Sequence, residues 1–370
     1  MVVVSILNNN DLILNAKYAC DHAHNPSKYD PMVKYWVFDP QVTSFNGIFS
    51  SRTYTNCKYF NGDISKWNTQ HIKDMSDMFN GAEYFNQDIG NWKTSNVVTM
   101  KNMFAYASAF NNGQPFGLSN KPLNWDTSNV VTMKNMFSGA SAFNQPLVWD
   151  TSKVRDMSSM FSGAIIFNQS LASWDTSKVS DMNIMFNDAF VFNQPLVWNT
   201  KSVTKMYYMF YGAWAFNQPL VWDTSKVTKM HYMFSSAKAF NQALDWNVKT
   251  VNDFENMFGE TNKLSKCNKY TIYENFKRTE SSSSFTKNYP SWKGDSSSCP
   301  SPPPPRPTGM STNEILLRST SSPPSPPLPN EFPIVVLLSV VFGVVNLLLL
   351  FYAIYLRCRE DKPSRRVSGI

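Results

Sequence analysis

Between residues 61 and 260, apolar and polar positions follow a pattern that restarts about once every 24 residues. In the copy at residues 149–171, the polar residues after the tryptophan predict a turn, and Val154 begins a short extended piece. The next apolar positions have the i, i+3, i+4 and i+7 spacing of one helix face. They are Met157, Met160, Phe161 and Ala164. Each unit is therefore predicted to contain a turn, a short parallel strand and a short helix.

A tryptophan begins each unit and marks the period. These residues are Trp67, Trp92, Trp125, Trp149, Trp174, Trp198, Trp222 and Trp246. Successive tryptophans are 24 or 25 residues apart, except for one interval of 33 residues, in which Asn112–Pro122 carries the extra residues. Such a period is typical of a solenoid, in which each unit buries its apolar face against its neighbours. We therefore predict an α/β repeat solenoid, with the tryptophans as structural residues of its core.

An asparagine follows the second phenylalanine of every unit. The eight residues are Asn61, Asn86, Asn111, Asn144, Asn168, Asn193, Asn217 and Asn241. A solvent-exposed loop does not need one residue type at every copy. A stacked ladder of side-chain amides does, because it satisfies turn N–H and C=O groups in register. We predict this structural role for the asparagines.

Composition divides the chain into six segments. They are a cap with a divergent first repeat at 1–60, about eight repeats at 61–260, a C-terminal cap with an irregular segment at 261–298, a stalk at 299–330, an apolar helix at 334–356 and a basic tail at 357–370. The stalk holds eleven prolines between Pro300 and Pro329, which favours a disordered, extended chain.

The apolar helix is predicted to cross a membrane and to contact its lipids. The run at 334–356 has 23 residues and no charged side chain, and as a helix it would be about 35 Å long. Arg and Lys follow it, so the positive-inside rule places the tail in the cytoplasm and the repeats outside. Met1–Leu7 lacks the basic start of a signal peptide. A tail anchor, with the repeats in the cytosol, is therefore the alternative.

The distribution of charge along the chain limits the class of partner. The formal charge is +1 over residues 1–60, −1 over 61–260 and +7 over 261–370. Nearly neutral repeats lack the clustered Lys and Arg of a nucleic-acid groove, so nucleic acid is excluded as a partner.

Two pairs of cysteines, Cys20 with Cys57 and Cys267 with Cys299, flank the two ends of the repeats. Outside the cell they are expected to cross-link the caps, and otherwise they are partly buried free thiols.

The unit resembles a known family. From Trp222 to Leu244 the chain reads WDTSKVTKMHYMFSSAKAFNQAL, and seven further copies keep this pattern. This is similar to the BspA-like leucine-rich-repeat surface proteins, in the variant found in mycoplasma surface lipoproteins. The resemblance covers roughly residues 9–260 and implies a leucine-rich-repeat-like solenoid with short strands and helices. It also implies adhesion or partner binding and brings no catalytic motif. The predicted stalk and C-terminal membrane helix depart from the lipoprotein members, which are anchored at their N-terminus.

Candidate chemistry gives no catalytic residue, metal or cofactor. Four units carry Asp after the tryptophan, namely Asp126, Asp150, Asp175 and Asp223, but Lys93 takes the same place in another unit, which a calcium ligand would not allow. Turn capping explains these carboxylates. The run Cys20, His22 and His24 lacks the second half of a zinc site. The chain shows no GxSxG motif and no phosphate-binding glycine loop. We predict that it is not an enzyme.

The exposed positions of the units vary while the core does not. Residues 24 apart are expected side by side on one face, which gathers an aromatic and basic patch near the end of the array. Its members are Lys205, Tyr207, Tyr208, Tyr211, Trp214, Lys229, His231 and Tyr232. Such a composition is typical of recognition surfaces. We predict a membrane-anchored surface protein that binds a protein or glycan. The alternatives are a structural coat without a ligand and a tail-anchored cytosolic scaffold.

Overall fold

The structure is a computed structural model that describes residues 4–23, 31–280, 284–294 and 299. The chain divides into two compact units, Met1–Ile315 and Leu316–Ile370, and every described residue belongs to the first. Regular elements lie at its two ends. They are β1 (Val4–Ile6), α1 (Asn9–His22), a 3-10 helix (Pro31–Tyr35), β2 (Trp36–Phe38), a second 3-10 helix (Thr55–Tyr59), α2 (Lys266–Thr279), α3 (Ser284–Asn288) and a last 3-10 helix (Pro290–Trp292).

The repeats stack through single parallel bridges, each between equivalent residues of neighbouring units. The bridged residues are, in order, Ser44, Asp74, Thr99, Thr132, Asp156, Asp181, Lys205, Lys229 and Asp253. At the start of the chain β1 pairs in parallel with β2, with Val4 opposite Trp36. One bridge per unit is too short to count as a strand, yet it holds neighbouring units in register.

The short helix predicted in each unit is replaced by consecutive turns. In the unit at 149–171, the N–H groups of residues 157, 159, 161 and 163 donate to the carbonyls of residues 181, 183, 185 and 187 in the next unit, over 2.7–3.1 Å. The N–H groups of residues 160, 162 and 164 donate three residues back within the unit. An α-helix needs every N–H for its own i−4 carbonyl. Because alternate donors are given to the neighbour, an α-helix cannot form here.

Left-handed backbone positions produce this alternation. Ser159 has a φ of 55° and Gly163 a φ of 69°, and the equivalent residues of the other units also have positive φ. The first set is Gly47, Asp77, Asn102, Asn135, Ser159, Ile184, Tyr208, Tyr232 and Asn256, and the second is Gly81, Tyr106, Gly139, Gly163, Asp188, Gly212, Ser236 and Glu260. Gly, Asn and Asp adopt this region at the least cost, which explains their frequency at both places.

Three aromatic columns fill the core. The eight tryptophans from Trp67 to Trp246 stack with ring centroids 5.9–6.5 Å apart and planes within 10°. The first phenylalanines of the units stack at 5.5–5.9 Å, and the second at 5.8–6.4 Å. Every tryptophan of the column is at most 4% exposed. Each indole N–H donates to a carbonyl of the preceding unit, as Trp174 does to Leu147 at 3.0 Å.

The asparagines form a continuous ladder. Each side-chain Oδ1 accepts the backbone N–H of the next asparagine over 2.8–3.1 Å, from Asn61 to Asn241, and Ser265 supplies the last donor. Each asparagine is one rung of this ladder. After several rungs a glutamine follows, and its side-chain N–H donates to the Oδ1 of the preceding asparagine of the ladder, as Gln194 does to Asn168. The ladder thus satisfies the turn N–H groups along the whole array.

A disulfide closes each end of the array. Cys20 in α1 is bonded to Cys57, and Cys267 in α2 is bonded to Cys299. Cys299 was assigned to the stalk by composition, and this bond ties it to the C-terminal cap. The side chain of Ser265 caps α2 by accepting the N–H of Asn268, and Phe276 of the same helix covers Trp246 with centroids 6.4 Å apart.

The described residues contain no helix long and apolar enough to span a bilayer. The predicted membrane helix at 334–356, the tail at 357–370 and all of the stalk except Cys299 lie outside them.

Candidate binding surface

The predicted patch occupies the outer face of the units at 198–245. Tyr208 and Tyr232 hold the first left-handed position of their units, each with a φ of 55°. Their backbone N–H groups donate to His231 and Glu255 in the next units, at 3.1 and 2.8 Å. Their neighbours in sequence, Met206, Met209, Met230 and Met233, are fully buried. Because the methionines point into the core, the two residues between each pair are turned outward.

Five of the predicted residues form one group, which we call the tyrosine cluster: Tyr207, Tyr208, Tyr211, His231 and Tyr232. The rings of Tyr208 and Tyr232 lie parallel, with centroids 4.8 Å apart and 5° between their planes. Tyr207 stacks on His231 at 4.8 Å and 13°. Tyr211 lies 5.5 Å from Tyr208. All five side chains are partly exposed, so the cluster offers an aromatic surface to solvent.

Carboxylates that the sequence analysis did not include border this cluster. The hydroxyl of Tyr232 donates to Glu255 Oε1 at 3.0 Å. His231 Nδ1 lies 2.8 Å from Asp253 Oδ2, in a contact that lacks hydrogen-bond alignment. Lys205 pairs with Asp181 at 2.9 Å. The same 24-residue offset that joined Tyr208 to Tyr232 would have found all three carboxylates, since they continue the rows of His231, Lys229 and Lys205.

These contacts change the electrostatics of the surface from basic to mixed. The hydrogen bond with Asp181 raises the pKa of Lys205, so this lysine stays charged and paired. Burial and the charge of Glu255 raise the pKa of Tyr208, and the hydrogen bond to Glu255 raises that of Tyr232. Both phenols are therefore neutral at physiological pH, and such hydroxyls donate and accept hydrogen bonds.

The remaining predicted residues lie beside the cluster. Trp214 stacks on Phe190 with centroids 4.3 Å apart, and Lys238 Nζ lies 3.9 Å from the Trp214 ring centroid. The indole of Trp214 thus contacts both a phenyl ring and an ammonium group. Lys229 is exposed and makes no ion pair within the described part of the chain.

A second aromatic and basic surface lies near the N-terminal end and was missed. Arg52 lies over the Tyr106 ring at 5.1 Å, and Lys58 over Tyr59 at 4.6 Å. Tyr84 lies 5.5 Å from Tyr59 and is 53% exposed. The residues of this second surface come from units of irregular length and from the first, divergent repeat. A search at a fixed offset of 24 residues therefore passes over them.

Among the residues that the structure describes, no three His, Cys, Asp or Glu side chains are grouped so that they could hold a metal ion. The turn carboxylates have another role: Asp126, Asp150, Asp175 and Asp223 each accept the N–H of the residue two positions later. Asn199 and Asn247 do the same in their units. Cys20 is committed to its disulfide, and His24 lies outside the described residues.

Comparison with known proteins gives one family. The family described as "Mycoplasma protein of unknown function, DUF285" matches three successive segments, residues 27–120, 117–219 and 196–292. Together they cover residues 27–292, which include all of the repeats at 61–260, part of the N-terminal cap and most of the C-terminal cap. No curated protein matches the chain. No solved structure matches it either.

Proposed function

The chain belongs to the DUF285 family of repeat proteins, and we propose that its stacked units form a BspA-like solenoid that presents the tyrosine cluster for recognition of a ligand at the cell surface. The observation that carries this proposal is the parallel pair of Tyr208 and Tyr232, 4.8 Å apart on the outer face. The same positions hold Asn102, Asn135 and Ser159 in other units. Two large rings at left-handed positions are costly for the fold, which supports a role in binding.

The contrast between core and surface supports recognition over catalysis. The core columns repeat the same residue types through every unit, whereas the outward pair between the methionines differs from unit to unit. Aromatic side chains provide most of the contact energy of recognition surfaces, because they bury a large area with little loss of side-chain freedom. We propose adhesion or partner binding, with a protein or glycan ligand, without enzymatic activity and without nucleic acid.

The two disulfides support the extracellular side of the proposal. Disulfides persist in oxidising compartments and are rare in the cytosol. Cys20–Cys57 and Cys267–Cys299 enclose the array from both ends, which favours repeats outside the cell over the tail-anchored alternative with repeats in the cytosol. In this proposal the stalk at 299–330 carries the array and the helix at 334–356 anchors it in lipid.

Binding by the tyrosine cluster is tested with the full chain in detergent micelles. The double variant Tyr208→Asn, Tyr232→Asn removes both rings but installs a residue that Asn102, Asn135 and Asn256 already supply at this position. The matched control is Ser159→Asn, which introduces the same residue at the equivalent position two units before Tyr208 and removes no ring. Chains are probed on arrays of glycans and of immobilised host surface proteins. We expect the double variant to lose the ligands that the parent and the control retain.

Two results would overturn the proposal. If the parent binds nothing on either array, the structural-coat alternative is favoured. If the double variant binds as the parent does, recognition takes place elsewhere on the chain. Location is tested separately by treating intact cells with trypsin. If trypsin cleaves the repeats only after the cells are permeabilised, the repeats are cytosolic.

A further inference from the structure

A cavity of about 260 Å³ opens where the last unit meets the C-terminal cap. The turn at 256–262 forms one wall, Lys269 of α2 another, and Tyr289 and Trp292 the third. The aromatic wall is well supported: Trp292 lies 4.7 Å from Tyr289 and 5.1 Å from Phe258. The side chain of Asn256 folds over Gly259 into the space that a β-carbon there would occupy. The cavity is thus built by packed elements and does not depend on a loose loop.

The cavity continues the row of the tyrosine cluster. Asn256 holds the same left-handed position, with a φ of 46°, that Tyr232 and Tyr208 hold one and two units earlier. Neighbouring chains in a parallel ladder are about 4.8 Å apart. Glu255, beside Asn256, receives the hydroxyl of Tyr232. A ligand that lies along the rings of Tyr208 and Tyr232 would therefore reach the cavity if it extended by one more unit of the array.

The lining residues indicate the chemistry of the occupant. Asn256 and Asn262 carry amides that both donate and accept hydrogen bonds, as sugar hydroxyls require. Trp292 and Tyr289 offer aromatic surface against which the C–H face of a sugar can pack. Glu260 and Lys269 contribute one negative and one positive charge. A phosphate or a carboxylate would need a surplus of positive charge, whereas an uncharged polyhydroxy ring does not.

The size of the cavity limits what enters it. Pockets for drug-sized molecules are about 300–1,000 Å³. At about 260 Å³ this cavity is below that range and is open on one side, so it suits one ring of a longer molecule. We propose that it binds the terminal, uncharged sugar ring of an oligosaccharide whose following rings lie along Tyr232 and Tyr208. This inference rests on the proposed function, since it names the ligand class of the same surface.

The test uses the full chain and N-acetylglucosamine oligomers of one to four rings, with a heparin tetrasaccharide as the charged comparison. Asn256→Gly removes the amide while glycine keeps the positive φ, so this variant is expected to fold. Lys269→Gln removes the charge beside Trp292, which lies 5.8 Å from the ammonium group. Asn135→Gly is the matched control, on the same row but five units away. Affinity is measured by calorimetry, and saturation-transfer NMR identifies the ring in contact.

We expect the parent to bind the single sugar weakly and the four-ring oligomer more tightly, with the strongest NMR saturation on the terminal ring. Asn256→Gly should weaken both about tenfold, as expected for the loss of a ligand hydrogen bond. The double tyrosine variant should lose the gain with length and keep single-sugar binding. This difference separates failure at the cavity from failure at the tyrosine cluster.

Three outcomes would contradict the inference. In the first, Asn256→Gly and Lys269→Gln bind the oligomers as the parent does, which leaves the tyrosine cluster as the binding surface without the cavity. In the second, heparin binds more tightly than the uncharged oligomers. In the third, none of the saccharides binds and the protein array gives the ligand.

Discussion

Tyr106 packs its ring over Gly139, the equivalent residue of the next unit. A β-carbon built on Gly139 would lie 2.8 Å from Cδ1 of Tyr106, closer than such atoms approach in folded proteins. The same relation holds between Ser51 and Gly81 and between Asp188 and Gly212. At these three places the side chain of one unit occupies the space that a β-carbon in the next unit would need, and glycine has no β-carbon.

Gly139→Ala should destabilise the array more than Gly117→Ala. Both glycines have positive φ, of 71° and 83°, so both changes add the left-handed strain of about 1–2 kcal/mol. Only at Gly139 does the new methyl group meet a ring, and overpacking adds about 1–3 kcal/mol. Nothing lies within 4 Å of a β-carbon on Gly117. Chemical denaturation measures the difference, and equal midpoints for the two variants would show that Tyr106 moves away without cost.

Ile184→Asn should stabilise the protein by about 1 kcal/mol, because a β-branched residue is especially strained at positive φ and asparagine is not. Ile184 has a φ of 61°, whereas Asn102 and Asn135 hold the equivalent position without this strain. Ile184→Val keeps the branch and should give no gain. Thermal melts of the three chains decide the matter. An asparagine variant that melts below the valine variant would mean that the packing of Ile184 outweighs its backbone strain.

Trp174→Ala should cost about 3–5 kcal/mol, because it opens a cavity in the tryptophan column of the core. The indole is 3% exposed and stacks between Trp149 and Trp198, 6.4 Å from each. Trp174→Phe keeps an aromatic ring but leaves the carbonyl of Leu147 without its donor, so it should cost about 1–3 kcal/mol. Hydrogen exchange should report the loss in the neighbouring units too. Protection lost in one unit only would argue against coupling between units.

Asp188 should make stability fall as the pH rises above the ordinary range of aspartate. Burial raises the pKa of Asp188, against a smaller opposite effect of Asn187. The folded chain then keeps a proton that the unfolded chain has lost, so the free energy of unfolding decreases with pH between the two pKa values. Asp188→Asn should remove this decrease in melts recorded between about pH 3 and pH 7.

Asp150→Asn serves as a control, because Asp150 should change stability with pH in the direction opposite to Asp188. The hydrogen bonds from Ser152 lower the pKa of Asp150, so its contribution to stability is present at neutral pH and is lost as the pH falls. Asn199 and Asn247 already serve this turn, so the variant should fold normally. If the melting temperatures of the parent and of Asp188→Asn changed with pH in the same way up to pH 7, the role of Asp188 would be contradicted.

The columns of the core are readable from the sequence for a simple reason. A strict period brings equivalent residues side by side, so Trp149 must meet Trp174 and Asn144 must meet Asn168. The choice between helix and turn is not readable from the same pattern. The spacing of Met157, Met160 and Phe161 fits one helix face, but turns that send alternate N–H groups to a neighbour give the same spacing.

A second signal could have corrected the helix prediction. The position of Ser159 holds Gly47, Asp77, Asn102, Asn135 and Asn256 elsewhere, and that of Gly163 holds three further glycines. Gly and Asn in the middle of a unit disfavour a helix and favour positive φ. For the candidate surface, the aromatic rings followed from the period. Their carboxylate partners were missed because only residues of the expected chemistry were carried from one unit to the next.

The asparagine ladder has a consequence for how the array can change in length. The N–H of Asn144 reaches Asn111 across 33 positions as readily as that of Asn168 reaches Asn144 across 24. The segment 112–122, which carries the extra residues of this unit, departs from the array at this corner, where the side-chain amides of Asn111 and Gln145 donate to the carbonyl of Leu118 and close the base of the excursion. Copy number can therefore grow or shrink only by complete units, while added segments are tolerated at the corner after a rung. A single deletion between the tryptophan and the asparagine of a unit would instead place the core residues of that unit out of register with its neighbours.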